Sequence, residues 1–191
     1  MSLREQHKAD KRDRILSAAR QRFIEDGFDS TTIRAIARDA GVAVGTVLLY
    51  ANSKHELLQD VWRQEIVPVV DRAIADAKGQ PTRPSLTALF SPLLQAYSKR
   101  PDLARVVVKE LPWLQGAAWQ SHLIDLQQYL QAIAEALQGA VPEPQATAEL
   151  LFTVYYGACV RLLAQTSPPD ADAAVLWLEQ QVDIILKGSR R

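Results

Sequence analysis

Between Gly27 and Leu58 the chain carries two short helical patterns separated by a single three-residue turn, GFDSTTIRAIARDAGVAVGTVLLYANSKHELL. Ile33, Ile36, Ala37 and Ala40 stand at i, i+3, i+4 and i+7, which places them on one face of a helix. Ser30 and Thr31 precede that pattern as candidate N-caps, since a hydroxyl can satisfy an amide left unpaired at a helix start. Gly41 follows it, where a helix end favours a residue that tolerates left-handed backbone angles. Val44-Gly45-Thr46-Val47-Leu48-Leu49 then begins a second helix. Helix, short glycine turn, helix is the geometry that sets a second helix into the major groove of DNA.

The flanking segments extend the helical reading in both directions. Lys8–Asp26 is predicted as a first helix, with Ile15, Ala19 and Phe23 four apart, Leu16 alongside and Gly27 as its end. From Ser53, a candidate N-cap, a longer helix carries Leu57, Leu58, Val61 and Trp62. Pro68 predicts a kink near residues 65–67 before that helix resumes to about Ala77, because its ring displaces an intrahelical hydrogen bond. A connector, Gly79–Pro84, leads to a helix over Ser85–Ser98 that Pro92 is expected to interrupt. Pro101 suits the first turn of a short helix with Leu103, Val106, Val107 and Leu111. After a break at Pro112-Trp113, an amphipathic helix runs through Leu123, Leu126, Leu130, Ile133, Ala134 and Leu137. Two last helices, Gln145–Gln165 and Ala171–Lys187, are joined across Ser167-Pro168-Pro169. No alternating strand pattern interrupts this series, so the expected fold class is all-α. A three-helix helix-turn-helix domain over residues 1–52 precedes a larger helical ligand-binding and dimerisation domain over residues 53–191.

Charge does not advertise a nucleic-acid partner in the whole chain, whose formal net charge is zero. Its distribution does, because residues 1–22 hold Arg4, Lys8, Lys11, Arg12, Arg14, Arg20 and Arg22 against three acidic residues. A single cysteine, Cys159, excludes an internal disulfide framework and fits a reducing compartment. No signal-peptide pattern follows the start, and the apolar run Leu150–Ala164, which carries Arg161, reads as too short for a bilayer. A cytoplasmic location without membrane attachment is the expectation.

The last two helices are more apolar than one subunit needs. From Leu150 to Leu163 the one charged residue is Arg161, and a helix apolar all round is buried on all sides. On the final helix, Ala174, Val175, Trp177, Leu178, Val182, Ile184, Ile185 and Leu186 cover roughly 200° at about 100° per residue. Gly157-Ala158 would let two backbones approach closely. A two-fold partner completing a four-helix bundle satisfies both helices. Val154, Ala158, Arg161, Trp177, Leu178, Val182 and Ile185 are the expected homodimer interface.

The chain resembles the tetracycline-repressor (TetR) family of bacterial transcription regulators. The resemblance lies in Gly27-Phe28, Thr31-Thr32-Ile33, Ile36-Ala37, Ala40-Gly41-Val42, Gly45-Thr46-Val47, Tyr50, Ser53-Lys54 and Glu56-Leu57-Leu58. It implies dimerisation through the C-terminal helices and a double-stranded DNA operator as partner. It further implies base or backbone contacts by Arg34, Val44, Gly45, Thr46 and Tyr50, and phosphate contacts by Lys54 and the Thr32 hydroxyl. Guanidinium, hydroxyl and a close-approaching glycine are chemically suited to those roles. The chain departs from the family pattern at Leu48, where an aromatic is common, at Leu49, and at Ala51, where Phe is frequent. Leu48 has no hydrogen to donate to a phosphate, and each leucine is able either to lie on a thymine methyl or to pack inside.

No metal-like spacing joins His7, His55 and His122, and no phosphate loop or nucleophile elbow occurs, so neither a metal, a cofactor nor an enzymatic activity is expected. Aromatic residues concentrate beyond the helix-turn-helix. Trp62, Phe90, Tyr97, Trp113, Trp119 and Tyr155 are the expected lining of a site for a mostly apolar small effector. The resulting expectation is a dimeric regulator, a repressor released from a palindromic operator by that effector. The alternative is a helical small-molecule or protein-binding dimer with degraded DNA recognition.

Overall fold

The computed structural model describes residues 3–111, 116–164 and 169–188. Every regular element among them is an α-helix, as the pattern predicts. Contacts divide the chain into two compact units, Met1–Glu65 with Arg105–Leu114, and Ile66–Ala104 with Gln115–Arg191.

The first unit is built on α1 (Leu3–Glu25), α2 (Ile33–Asp39), α3 (Val44–Leu48) and the start of α4 (Lys54–Ala77). α1 starts five residues earlier than its apolar stripe predicts, because its first turns are polar and carry no core residues. Ile15, Leu16, Ala19 and Phe23 of α1 are buried with Ile36, Ala37 and Ala40, with Val47, and with Leu57, Leu58 and Val61. Gly27 and Gly41 both have positive φ, 79° and 64°, which lets the chain reverse sharply after α1 and after α2.

The cap of α2 is neither Ser30 nor Thr31 but Thr32, whose side chain accepts from the Ala35 amide at 3.1 Å. Thr31 is buried instead, its hydroxyl donating to the carbonyl of Gly27 at 2.7 Å, so it ties α2 to the end of α1 rather than capping. Ser53 caps α4 as expected, accepting from the Glu56 amide at 3.1 Å, while the Glu56 carboxylate accepts from the Asn52 amide at 2.7 Å. This reciprocal pair anchors the helix that leaves the motif.

The second unit contains the rest of α4, α5 (Thr82–Lys99), α7 (Gly116–Ala136), α8 (Pro144–Leu163) and α9 (Ala171–Gly188). Between α5 and α7 in the chain lies α6 (Pro101–Glu110). Pro68 and Pro92 both lie inside continuous helices: α4 runs on to Ala77, the expected end, and α5 continues through Pro92 where an interruption was expected. Each proline removes one intrahelical bond, to the carbonyl of Gln64 or Ala88. Long helices with apolar residues on both sides of the proline hold that loss. α8 packs against α5, α7 and α9, and α5 against α7 and α9. By length and composition α8, at 20 residues, is long enough to cross a bilayer, since the helix extends beyond the apolar run Leu150–Ala164. Its place against three neighbours explains its apolar character as that of a central helix.

Candidate nucleic-acid interface and effector region

The first unit presents α3 as a short, exposed helix held from one side. Val47 is fully buried and fixes the helix to its neighbours, while Val44, Gly45, Leu48 and Leu49 are exposed. Leu48 is 44% and Leu49 85% exposed, which excludes the packing role for both. Thr46 is half-buried. Tyr50 is likewise half-buried, and its hydroxyl donates to the carbonyl of Lys8 at 3.1 Å, tying the end of the reading segment to α1.

On α2, Arg34 is exposed, and among the described residues no ion pair or hydrogen bond holds its guanidinium. Thr32 is exposed too; its oxygen accepts from Ala35, which leaves the hydroxyl proton available to an external acceptor. Lys54 is engaged inside the protein. Its ammonium donates to the carbonyls of Phe28 at 2.6 Å and Asp29 at 3.2 Å and lies 4.3 Å from the centre of the Phe28 ring. One of its three protons is left for a phosphate, so Lys54 is a strut of the turn between α1 and α2 as well as a candidate anchor.

The basic N-terminal segment divides in the same way. Arg12 pairs with Asp60, Arg20 with Glu65, and Arg22 with both Asp26 and Asp39. Arg22 holds the Asp39 carboxyl below its ordinary range, with Arg38 adding to the effect. These arginines brace α1 against α2 and α4; Lys8, Lys11 and Arg14 are further cations of the stretch and are exposed.

Within the second unit, Phe90 and Tyr155 stack at 5.3 Å between ring centres. Tyr129 meets Phe90 at 6.1 Å, and Phe152 meets Tyr155 at 5.9 Å. Tyr129 and Phe152 were absent from the sequence expectation, although Tyr129 falls four residues before Ile133 on the apolar face of α7. The Tyr129 hydroxyl donates to the carbonyl of Leu89 at 2.9 Å. Among the described residues, the buried Tyr155 hydroxyl has no oxygen or nitrogen partner, and the Cys159 thiol lies beside it. Burial pushes that thiol up to about 12.

Of the expected effector-site residues, Phe90, Tyr97 and Tyr155 are buried in this unit, and Trp62 is buried in the first. Trp119 is 37% exposed and lies against His122, 5.9 Å between rings, because its side of α7 faces solvent. Trp113 lies outside the described residues. Next to Phe90, between α5 and α9, the space is only about 10 Å³, room for a single water at most.

The residues expected at the dimer face differ in exposure. Ala158, Leu178 and Val182 are buried in the single chain, Leu178 and Val182 against α5. Val154, Trp177 and Ile185 are half-buried, and Arg161 is exposed with its guanidinium 4.9 Å from the Trp177 ring centre. The exposed apolar residues are different ones: Leu150 and Val160 on α8, Leu176 and Ile184 on α9. With Val154, Gly157 and Trp177 they follow helical spacing along one side of each helix. A groove of about 420 Å³ beside them is lined by Ala158, Arg161, Leu162, Ala164, Ala173, Ala174 and Trp177.

Comparison with known proteins agrees with this division. Residues 15–61 match the family described as bacterial regulatory proteins, tetR family. The fatty acid metabolism regulator protein of Bacillus subtilis (strain 168) is 31% identical over 75 residues, 39% of each chain, so the match spans about two fifths of that relative's length. The FadR repressor of Thermus thermophilus, a TetR-family protein solved in complex with lauroyl-CoA, is 25% identical. Its likeness covers 93% of this chain and 94% of that one, with a TM-score of 0.76. FadR from Bacillus subtilis in complex with stearoyl-CoA shares the fold at 20% identity, covering 92% and 97% of the two chains with a TM-score of 0.62.

Proposed function

From its membership of the tetR family of bacterial regulatory proteins, we propose that this chain is a dimeric repressor that leaves a palindromic operator when a long-chain acyl thioester binds. The observation that carries the reading is the first unit's geometry. α2 and α3 are joined through Gly41 at positive φ, Thr32 and Arg34 are exposed on α2, and α3 shows solvent its whole outer face. Arg34 then forks onto a guanine edge, Val44 and Gly45 sit close to the bases, and the half-buried Thr46 and Tyr50 border that face. Lys54 and Thr32 contact phosphate, which positions the unit without reading sequence.

Dimerisation is supported by the exposed apolar stripe on α8 and α9, which a two-fold copy would cover. Two reading heads in such a dimer meet half-sites about 34–36 Å apart. The effector class is carried over from the acyl-CoA complexes of the two FadR proteins; the interior of the second unit is apolar and aromatic, and its stacked rings must part to admit an acyl chain. Effector and operator then oppose one another through a coupling that is typically about 1–3 kcal/mol.

The test is a mobility-shift assay on duplexes selected from a random library, with and without lauroyl-CoA. Selection of a palindrome whose complex dissociates on adding lauroyl-CoA, but not free coenzyme A, is the expected result. Failure to enrich any sequence removes the operator reading. An enriched palindrome indifferent to acyl thioesters removes the effector class alone.

A further inference from the structure

The outer face of α3 is unusual for a DNA reader in having no hydrogen-bonding side chain. At about 100° per residue, the exposed residues Val44, Leu48, Gly45 and Leu49 fill one continuous arc of about 140°, which begins about 60° from the buried Val47 and extends past the direction opposite it. Leu49 continues the helical turn, with φ −76° and ψ −20°, so its side chain extends the same arc. The polar residues of the segment lie together on the other flank of Val47, where Thr46 is half-buried and the Tyr50 hydroxyl is spent on the Lys8 carbonyl. Leu48 and Leu49 are nevertheless held out in water, 44% and 85% exposed. With Val44 they form one contiguous exposed apolar patch, the kind of surface that marks an interaction site.

We propose that α3 reads thymine methyl groups, through Leu48 and Leu49 with Val44, in place of hydrogen-bonded base edges. The inference rests on the operator-binding reading above and specifies its chemistry. In the major groove, the one base feature that an aliphatic side chain selects is the C5-methyl of thymine, since every other distinguishing group there is a donor or an acceptor. An unsatisfied donor or acceptor facing leucine is penalised, so the same face rejects guanine and cytosine edges. Hydrogen-bonded readout falls to Arg34 on α2, whose guanidinium is exposed and unheld among the described residues. The operator half-site therefore combines a guanine read by Arg34 with adjacent thymines read by α3.

Replacing thymine by uracil in the selected duplex deletes the methyl and leaves every hydrogen-bonding group in place. Affinity of the full-length protein should fall about fourfold for each methyl that a leucine covers, and about sixteenfold when both symmetric half-sites carry the change. Uracil at positions outside the α3 footprint should have no effect. Leu49→Ala should bind the thymine and uracil duplexes alike at its own position; because Leu49 is 85% exposed, its melting temperature should match the wild type. Leu48→Ala provides the same comparison at a second base pair. Full affinity for a duplex with every thymine replaced by uracil overturns the proposal while leaving operator binding intact. A wild-type uracil penalty that persists undiminished in both leucine variants also overturns it, since the methyls would then be read by something else. If no sequence is enriched at all, the operator reading fails and the proposal with it.

Discussion

Ile184 offers the sharpest separation between a dimer face and a subunit core. In the single chain its side chain is 64% exposed, whereas Val182, two residues away on the same helix, is 4% exposed. Full burial of an isoleucine side chain stabilises by about 1.5–3 kcal/mol, so covering the exposed part of Ile184 contributes about 1–2 kcal/mol per subunit. A two-fold axis counts it twice, about 2–4 kcal/mol per dimer, which corresponds to a factor of about 30 to 900 in the dissociation constant. Ile184→Asp removes that contribution and buries an unpaired carboxylate in each half of the interface, so the estimate is a lower bound. Sedimentation velocity over a concentration series should show wild-type dimers and Ile184→Asp monomers, with unchanged helical circular dichroism. Val182→Asp should unfold or aggregate instead, because it places a charge in the core of one subunit. An Ile184→Asp protein that remains dimeric with the wild-type constant would refute the assignment of this face.

Arg34→Ala should cost about 1–3 kcal/mol on the best operator and flatten its preference over mutated sites, as read by competition binding. Lys54→Ala should weaken all duplexes alike and also lower the melting temperature, since it frees the carbonyls of Phe28 and Asp29; an unchanged melting temperature would show that the strut is dispensable. The Cys159 thiol titrates near 9 when unfolded and near 12 when folded, so its contribution is constant below pH 9 and is lost as pH rises from 9 to 12. Denaturant titrations should therefore show a Cys159→Ala protein with a shallower decline in that window, by up to about 1.4 kcal/mol per pH unit. Tyr155→Phe removes a buried hydroxyl that has no oxygen or nitrogen partner among the described residues and should leave the ligand-free protein as stable or about 1 kcal/mol more stable. A drop in its melting temperature would mean that the Cys159 contact satisfies the hydroxyl.

Periodicity alone made the all-α fold and the helix-turn-helix legible, because Ile33, Ile36, Ala37 and Ala40 admit one helical face and Gly41 one kind of turn. It failed where a local rule met a longer context. Pro92 is a helix breaker by chemistry, yet it sits inside a helix whose packing outweighs one missing hydrogen bond. Thr32 caps α2 while Thr31, an equally good cap on paper, is drawn into the core by the carbonyl of Gly27. The apolar arc of α9 was correctly wide, but a wheel does not say which part faces its own subunit. Ala158, Leu178 and Val182 are buried in the single chain, while Leu150, Val160, Leu176 and Ile184 are exposed, and the wheel could not separate the two sets. Lys54 shows the same limit for charge: its number in the chain fits a phosphate anchor, and only three dimensions reveal the carbonyls it already serves.

A calorimetric titration of the selected palindrome with the full chain, repeated after saturation with lauroyl-CoA, tests the regulatory claim most directly. Two chains per duplex are expected, with an affinity that falls steeply as salt rises and falls again, by a factor of about 5 to 150, once the acyl thioester is bound. One chain per duplex, or the same affinity with and without lauroyl-CoA, would contradict it.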